Sequence, residues 1–448
     1  MSGIFETEAL IIGAGAAGLY AADRLRVAGI PFIVLEAAAH GGGRIQSRPE
    51  LNSALGLVLD EGANLINSTD TIVIRLLNRF NIPYVRRLTP GTDSMHYVHA
   101  GRLYDQRGFE REIFTKNTAA LARYAEDQAA WNEASDRDND PRFINESMAS
   151  YFARIGADSM LQAMMTSFFW SEYGRELAEL NLHVLFDYLH IDTQKQFFQL
   201  IPNADEAFTV PDGAEQITQG LEAASHTHIR YGHPVTRIHD DGGAHITVEA
   251  EPAQGPLATY QAHMLFFAAP LHSLNKMTVS VHGLSPEALA EARASTYGKG
   301  SKLHLKFRDG FHDHYRFQGI LLTDTGEQIW TSGTGQGGAG LLTVLMGPLA
   351  GKSREIDTTV RQVLETLTVI APGIREYFVG AELSEAPMSY SGALRPGEDA
   401  DLQIVDGAAR WITIGEAAGE DLQGYLEGAL RSADRGVARY IMARRTGQ

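Results

Sequence analysis

The sequence predicts an α/β fold in which a parallel sheet unit, covered on both faces, is interleaved along the chain with a second, mixed α+β unit. Three observations carry this. The first forty or so residues alternate apolar strand, helix and apolar strand. Glycine-rich turns with acidic neighbours stand near both ends of the chain. Between them lie a long helical stretch and strands of a different kind.

Ala9-Leu10-Ile11-Ile12 is a short apolar strand. A glycine turn and a helical pattern from Ala16 to Val27 follow, and Gly29 stands where a C-terminal capping glycine belongs. Phe32-Ile33-Val34-Leu35 is the second strand. Continuous apolar strands joined by a helix pair in parallel and are buried on both faces. Residues 111–133, 145–154, 158–170 and 176–190 read as helices, with the polar run from Ser135 to Pro141 as a break. Strand patterns return over 229–238, 246–250 and 263–269, the last closed by Pro270. Several strands with glycine-rich connections occupy 301–347. The glycine-rich run from Ser332 to Gly340 reads as a surface loop, with a mobile lid over a site as the alternative. Trp411-Ile412-Thr413-Ile414 is a late strand leading into Gly415, and a helix from about Gly424 to Met442 closes the chain.

Composition agrees with a folded, globular protein. Hydrophobic residues make up 44% of the 448 and charged residues 21%. At roughly 150 residues per domain, the length suggests about three domain-sized units or two large ones. Lys and Arg number 38 against 55 Asp and Glu, a net charge of −17. That field repels nucleic acid and anionic membranes and attracts cations, although solubility is the plainer reading of an acidic surface. With no cysteine, disulfides, thiolate metal sites, cysteine nucleophiles and a cofactor linked through a cysteine thioether are excluded. The 16 histidines show no HExxH or similar ligand spacing, so no metal site is expected. No basic-then-apolar leader and no apolar run of the ~20 residues that span a bilayer is present. A soluble, cytoplasmic protein is expected.

Gly13-Ala14-Gly15-Ala16-Ala17-Gly18 has the pattern G-x-G-x-x-G. It follows a strand, opens a helix and sits in a β-α-β unit, the context in which the pattern signals dinucleotide binding. Gly13 permits the tight turn, Gly15 lets the backbone approach a pyrophosphate, and Gly18 lets helix and strand pack closely. Ala16 and Ala17 begin the helix whose free N–H groups face the phosphates. Glu36, followed by Ala37, ends the second strand, where an acidic side chain accepts hydrogen bonds from ribose hydroxyls and disfavours a 2′-phosphate. The bland alternative is a helix-packing turn beside a surface glutamate.

Gly41-Gly42-Gly43-Arg44 is a second glycine loop with a cation, placed to reach the same diphosphate. Asp60-Glu61-Gly62-Ala63-Asn64 offers another close-approach backbone. Far along the chain, Gly415-Glu416-Ala417-Ala418 follows a strand, and Gly424-Tyr425-Leu426-Glu427-Gly428-Ala429 opens the last helix. With Pro234-Val235-x-x-Ile238 and Ala268-Ala269-Pro270, these pieces run from residue 13 to residue 429. On them the sequence resembles the flavin-containing amine oxidase family, which includes the monoamine and polyamine oxidases.

The resemblance implies a Rossmann-type FAD-binding domain, drawn from 1–84, 205–287 and 395–448, interleaved with a mixed α+β substrate domain, drawn from 85–204 and 288–394. It implies that Gly43 and Arg44 flank the FAD diphosphate and that Gly62, Ala63 and Asn64 approach the cofactor. Val235 would hold adenine through its backbone. Gly415, Glu416, Gly424, Tyr425 and Leu426 would line the ribityl and isoalloxazine part. Read alone, Val235 is a β-branched core residue in a strand.

Flavin carries the redox chemistry and the protein supplies orientation and electrostatics. The resemblance implies hydride transfer from the carbon next to a neutral amine nitrogen to flavin N5. The resulting imine hydrolyses to a carbonyl, and dioxygen is reduced to hydrogen peroxide. In Ser301-Lys302-Leu303-His304-Leu305-Lys306-Phe307 the apolar residues share one face and Lys302, His304 and Lys306 the other. Alone this is a half-buried strand with a solvated face. The family places a lysine on such a strand, bonded through water toward flavin N5. By position that lysine is Lys302, with Lys299 and Lys306 as neighbouring registers. Tyr425 matches the tyrosine that forms one wall of the family's aromatic cage; a core tyrosine at a helix start is the alternative.

Tyr390-Ser391-Gly392-Ala393-Leu394-Arg395 resembles the segment that carries the cysteinyl-flavin link and the second cage tyrosine, but Leu394 and Arg395 stand in those places. FAD is therefore expected to be held non-covalently, in a cage without its second tyrosine. Phe168, Phe169, Trp170, Phe197 and Phe198 are candidates for a substrate cavity or for helical core. The competing readings are an L-amino-acid oxidase, with Arg395 as the carboxylate partner because Gly62-Ala63-Asn64-Leu65 contains no arginine, and a desaturase or porphyrinogen oxidase. A flavoprotein scaffold is the non-enzyme alternative. The expected partners are a small amine and dioxygen, without nucleic acid or membrane, and a homodimer is the oligomeric option.

Overall fold

A computed structural model describes residues 4–51, 55–87, 95–137, 140–200, 204–295, 297–347, 355–386, 395–396 and 409–446. The first strand, Ile4–Ile12, lies in parallel between Phe32–Leu35 and Ala258–Phe267, with Ala9 opposite Phe32 and Ile12 opposite Phe267. It begins earlier than its apolar run because Ile4 to Thr7 find backbone partners in Thr259 to Ala262. The sheet continues from Ala258–Phe267 through the antiparallel strands Ile246–Ala250 and Val235–Asp240 to Thr278–Val281. Ile229–Arg230 forms the other edge, and Trp411–Thr413 joins Ala258–Phe267 in parallel. The expected strand over 229–238 is thus two strands on opposite sides of the sheet. Gly232 turns the chain at φ +66, and Pro234 has no N–H for a ladder.

The helices Ala16–Val27 and Leu426–Thr446 cover one face of this sheet, where Leu19, Leu25, Val34, Phe266, Leu430 and Val437 form the core. The other face buries Leu10, Val248, Tyr260, Phe267 and Trp411.

A second sheet runs Phe378–Ala386, Gly300–Phe307, Gly340–Met346, Gln328–Thr334, Ile320–Thr323, Met95–His99 and Arg102–Asp105. It is antiparallel except where Ile320–Thr323 meets Met95–His99. The two sheets therefore draw on alternating stretches of one chain. The helix expected over 111–133 is two, Gln106–Lys116 and Thr118–Glu133. Asn117 divides them, its amide donating to Ile113 O and to Asp158 Oδ1. The helix expected over 176–190 is a 3-10 turn, Leu177–Glu179, and a short helix, Leu182–Tyr188.

Phe168 and Phe169 are fully buried in the helix Ser159–Tyr173. Trp170 packs so closely on Gly326 and Gly347 that a Cβ there would come within 2.7 and 2.4 Å of the indole. These three are core. Phe197 is exposed, and Phe198 is buried at the edge of a cavity described below. The run from Ser332 to Gly340 is not a free loop: its first residues belong to the strand Gln328–Thr334, and Gln336 N donates to Leu55 O at 2.9 Å. Among the described residues no helix is long and apolar enough to cross a membrane.

Candidate active site

The turn after the first strand is shaped by its glycines. Gly13 lies at φ +104, and its N–H donates to Leu35 O at 2.8 Å. At Gly18 a Cβ would stand 1.9 Å from Gly13 O, so only glycine lets the helix seat here. At Gly15 the same test meets nothing closer than Gly43 Cα at 3.9 Å. The helix Ala16–Val27 starts from Gly15 with no side-chain cap, leaving its first-turn amides, those of Ala16 and Ala17 among them, available to an anion. The carboxylate of Glu36 accepts from Ala14 N at 2.6 Å and from Ala38 N at 2.8 Å, so it fixes the turn as well as the strand end, with Ala37 exposed beside it.

The second glycine loop closes on the first. Gly42 N donates to Ala14 O at 2.9 Å, and Gly15 and Gly42 form an isolated parallel bridge. Gly42 and Gly43 lie at φ +94 and +62. Arg44 reaches the far end of the chain, where its Nη1 bonds Glu416 Oε1 at 2.9 Å. Gly62 is forced by this approach, since a Cβ would stand 1.7 Å from Arg44 O. Gly415, at φ +130, is held on both sides by Ser432 Oγ, which accepts from its N–H and donates to its carbonyl, each at 2.9 Å. No atom lies within 4 Å of where its Cβ would be. Gly424, at φ +84, turns the chain into Tyr425, which is half-buried, and Leu426, which packs on the core of the first sheet. Val235 begins its strand with a buried side chain in the core of the other face.

Lys302 stands on the strand Gly300–Phe307, between Phe378–Ala386 and Gly340–Met346. The row it shares with His304 and Lys306 is not solvated: His304 is 0% and Lys306 7% exposed. The reason is that this face abuts the loops of the first sheet. Lys302 Nζ donates to Gly62 O, to Asp60 O at 3.3 Å and to Asn64 Oδ1 at 3.2 Å. Its ammonium thus bonds the loop directly. Burial lowers its pKa to about 8, against the pull of Asp60. The other amide atom of Asn64, Nδ2, is buried and has no partner. Lys306 is engaged elsewhere, bonding Glu382 at 2.7 Å, and Arg48 bridges Glu382 and Glu61. Lys299 is exposed. Of the three registers, only Lys302 points at the glycine loops. Burial, with Lys302 and Arg48 nearby, lowers His304 to about 3 and keeps it neutral.

Across the strands, Leu345 lies opposite both Lys302 and Gln328, so these side chains share a face. Trp330, two residues on, carries the Lys302 ammonium 5.8 Å from its ring centre. Ile320, Trp330 and Leu345 cluster with Leu65 from the loop of the first sheet. Tyr173 and Tyr188 meet edge to face at 5.5 Å, and the Tyr173 phenol feels Tyr425. The Tyr188 phenol feels both Glu172 and Glu416. Tyr173, Tyr188, Glu172, Gln328 and Trp330 are therefore grouped near Lys302, Tyr425 and Glu416 in a way that the motifs did not reveal. They carry no local signature, because only the sheet register and the helices Ser159–Tyr173 and Leu182–Tyr188 bring them together.

Glu427, buried at 0% exposure, accepts from the amides of Ile72 and Val73 at the start of the helix Thr71–Arg79 and ties the closing motif to the first sheet's loops. Residues 390–394, the segment that resembles the one carrying the second cage tyrosine, lie outside the described residues. The carbonyl of Arg395 accepts from Asn181 Nδ2 at 3.3 Å. Among the described residues no three His, Cys, Asp or Glu side chains gather as a metal site.

The family model for flavin-containing amine oxidoreductases matches residues 16–441. A protein of Mycobacterium tuberculosis named as a flavin-containing monoamine oxidase is 23% identical over 455 residues, covering 96% of each chain. Cyclohexylamine oxidase from Brevibacterium oxydans superposes with a TM-score of 0.80 at 18% identity, covering 99% of this chain and all of that one. Putrescine oxidase bound to putrescine superposes with a TM-score of 0.78 at 17% identity, covering 98% of this chain.

Proposed function

This chain belongs to the flavin-containing amine oxidoreductase family, whose members oxidise amines with FAD, and we propose that its own site oxidises a small amine with no essential α-carboxylate and passes the electrons to dioxygen, releasing hydrogen peroxide. The observation that carries this reading is the Lys302 ammonium, seated on the carbonyls of Asp60 and Gly62 and on the amide oxygen of Asn64, whose Nδ2 is buried with no hydrogen-bond partner among the described residues.

The residues present fit FAD. Gly13, Gly15 and Gly18, with the amides of Ala16 and Ala17, would hold the diphosphate from the helix side, and Gly43 and Arg44 from the other. Glu36 and Ala37 would take the ribose, and Val235 the adenine. Gly62, Ala63, Asn64, Gly415, Glu416, Gly424 and Leu426 would line the isoalloxazine end, where the Asn64 amide supplies a donor and the open flank of Gly415 admits a flat ring. Bound there, FAD supplies the hydride acceptor and the route to dioxygen. With no cysteine in the chain a cysteinyl link is excluded, and FAD would be held non-covalently.

The chain's own groups then have separate tasks. Lys302 keeps a positive charge at the loop where negative charge would develop. Tyr425, with Tyr173 and Tyr188, forms an apolar, electron-rich wall that steers an amine and excludes water. The first sheet and its loops, 1–84, 205–287 and 395–448, act as the cofactor domain, and 85–204 with 288–394 as the substrate domain of a cytoplasmic enzyme. The test is anaerobic flavin bleaching by primary, secondary and cyclic amines and by α-amino acids, followed by admission of oxygen. Bleaching by amines and one peroxide per reoxidised flavin are expected. Bleaching by α-amino acids alone would overturn the substrate class and favour Arg395 as a carboxylate partner; failure to reoxidise in oxygen would make the enzyme a dehydrogenase.

A further inference from the structure

We propose that Glu172 is the proton acceptor of this site: a carboxylate in the substrate wall that meets the incoming ammonium and takes its excess proton, leaving the neutral amine that can lose hydride. The inference rests on the amine reading above.

Four observations place it. The Glu172 carboxylate is held by Gln328 Nε2 at 2.8 Å, and the same amide donates to Ser171 Oγ at 2.7 Å, so Gln328 aims it. Gln328 shares a sheet face with Lys302, two strands away. At about 4.8 Å per strand, their Cα atoms are roughly 10 Å apart, which is the reach of a small amine. Gln328 also lines a cavity of about 60 Å³ with Tyr97, Phe198 and Glu206, so this wall borders free space. Finally, no cation among the described residues pairs with Glu172; its charged neighbour is another acid, Glu206, whose own cation, Arg87, stands 3.7 Å away. A carboxylate with a donor on one side and no counter-ion is set to receive a cation.

The groups facing it from the elements around it are Glu206, Gln328 and the Tyr188 phenol, with Lys302 across the sheet. Burial first, and then Glu206, raise Glu172 to about 7, while the Gln328 bond opposes the shift. Burial lowers the pKa of an ammonium in the same interior, as it does that of Lys302. Donor and acceptor are thus shifted toward each other, where in water several units separate them. The step balances: R–NH3+ and the Glu172 carboxylate become R–NH2 and the Glu172 carboxylic acid, with no change of oxidation state. The proton then leaves to solvent.

The experiment compares the wild-type holoenzyme with Glu172→Gln, which can still accept the Gln328 bond, using two amines of similar size. One is strongly basic and the other carries electron-withdrawing substituents that leave it neutral at assay pH. For the basic amine, wild-type kcat/KM is expected to rise through about 7 to a plateau. In Glu172→Gln it should be lower by roughly 10²-fold near neutrality and climb steadily toward the amine's own pKa. The weakly basic amine should lose much less, and flavin absorbance retained after desalting shows that the variant is folded and loaded. Glu206→Gln, which removes the like charge without touching Glu172, should move the acid limb to lower pH. Equal losses for both amines, or an unchanged limb in Glu172→Gln, would overturn the assignment. If neither amine bleaches even the wild type, it is the amine reading itself that falls.

Discussion

Lys302 Nζ donates to Asn64 Oδ1 at 3.2 Å, and this bond joins the strand Gly300–Phe307 of one sheet to a loop of the other. The two carbonyls beside it complete the coordination of the ammonium. Asn64 is neutral, so burial, which disfavours the charge on Lys302, is opposed by dipoles and by Asp60 rather than by a direct ion pair, and the pKa falls to about 8. Replacing that amide by a carboxylate should change the titration. In Asn64→Asp the nearby negative charge favours the ammonium, so a basic limb due to Lys302, falling as pH rises through about 8, should move up by roughly one unit or more. The pH profile of flavin reoxidation checks this; an unmoved limb would mean that Lys302 does not set it.

Glu36→Ala should weaken FAD binding. The substitution removes a charged acceptor for the ribose, worth about 1.5–3 kcal/mol per hydrogen bond, or roughly ten- to a hundredfold in Kd. It also frees the amides of Ala14 and Ala38. Flavin occupancy measured on dilution reads the effect, and wild-type retention would remove Glu36 from the ribose.

The Lys306–Glu382–Arg48 network should matter to stability and not to chemistry. Despite burial, which acts the other way, the bonds from Lys306 and Arg48 lower Glu382 to about 2. A carboxylate depressed in the folded state contributes stability that is complete above its ordinary pKa of 4.5 and lost as pH falls toward 2, roughly 3 kcal/mol in all. Denaturant titrations of wild type and Glu382→Gln should therefore converge as the pH is lowered through that window. A gap of constant size would show that the pairing is not what the substitution removes.

The flavin should leave the protein. Acid precipitation is expected to release all the yellow colour into the supernatant, since no cysteine is present to form a thioether. Colour in the pellet would indicate a histidyl or tyrosyl link.

Much of the loop geometry around the first sheet was legible in the sequence, because each piece is a local motif whose geometry dictates its residues. Gly13, Gly18 and Gly62 are glycines for the steric reasons the spacing suggests, and Glu36 ends its strand as expected. The substrate side was not legible. Alternation in the strand Gly300–Phe307 shows which residues share a face, but not that the polar face packs against another domain's loops, so Lys306 seemed solvated when it is buried in an ion pair. Glu172 and Gln328 are far apart in sequence and meet only through tertiary packing. The aromatic run around Trp170 is apolar enough for either core or cavity, and only the fit of Gly326 and Gly347 against the indole assigns it to core.

The most direct test of the account is anaerobic stopped-flow reduction of the purified holoenzyme by an amine, followed by reoxidation, in wild type, Lys302→Met and Lys306→Met. FAD should remain bound in both variants, because the turn from Gly13 to Gly18, the loop from Gly42 to Arg44 and Glu36, which would hold its diphosphate and ribose, bond neither lysine. Lys302→Met should slow reduction, reoxidation or both by roughly 10²-fold or more. Lys306→Met, although less stable, should keep both rates per folded flavin. Wild-type rates in Lys302→Met together with a collapse in Lys306→Met would contradict the assignment of Lys302 as the lysine of the flavin site.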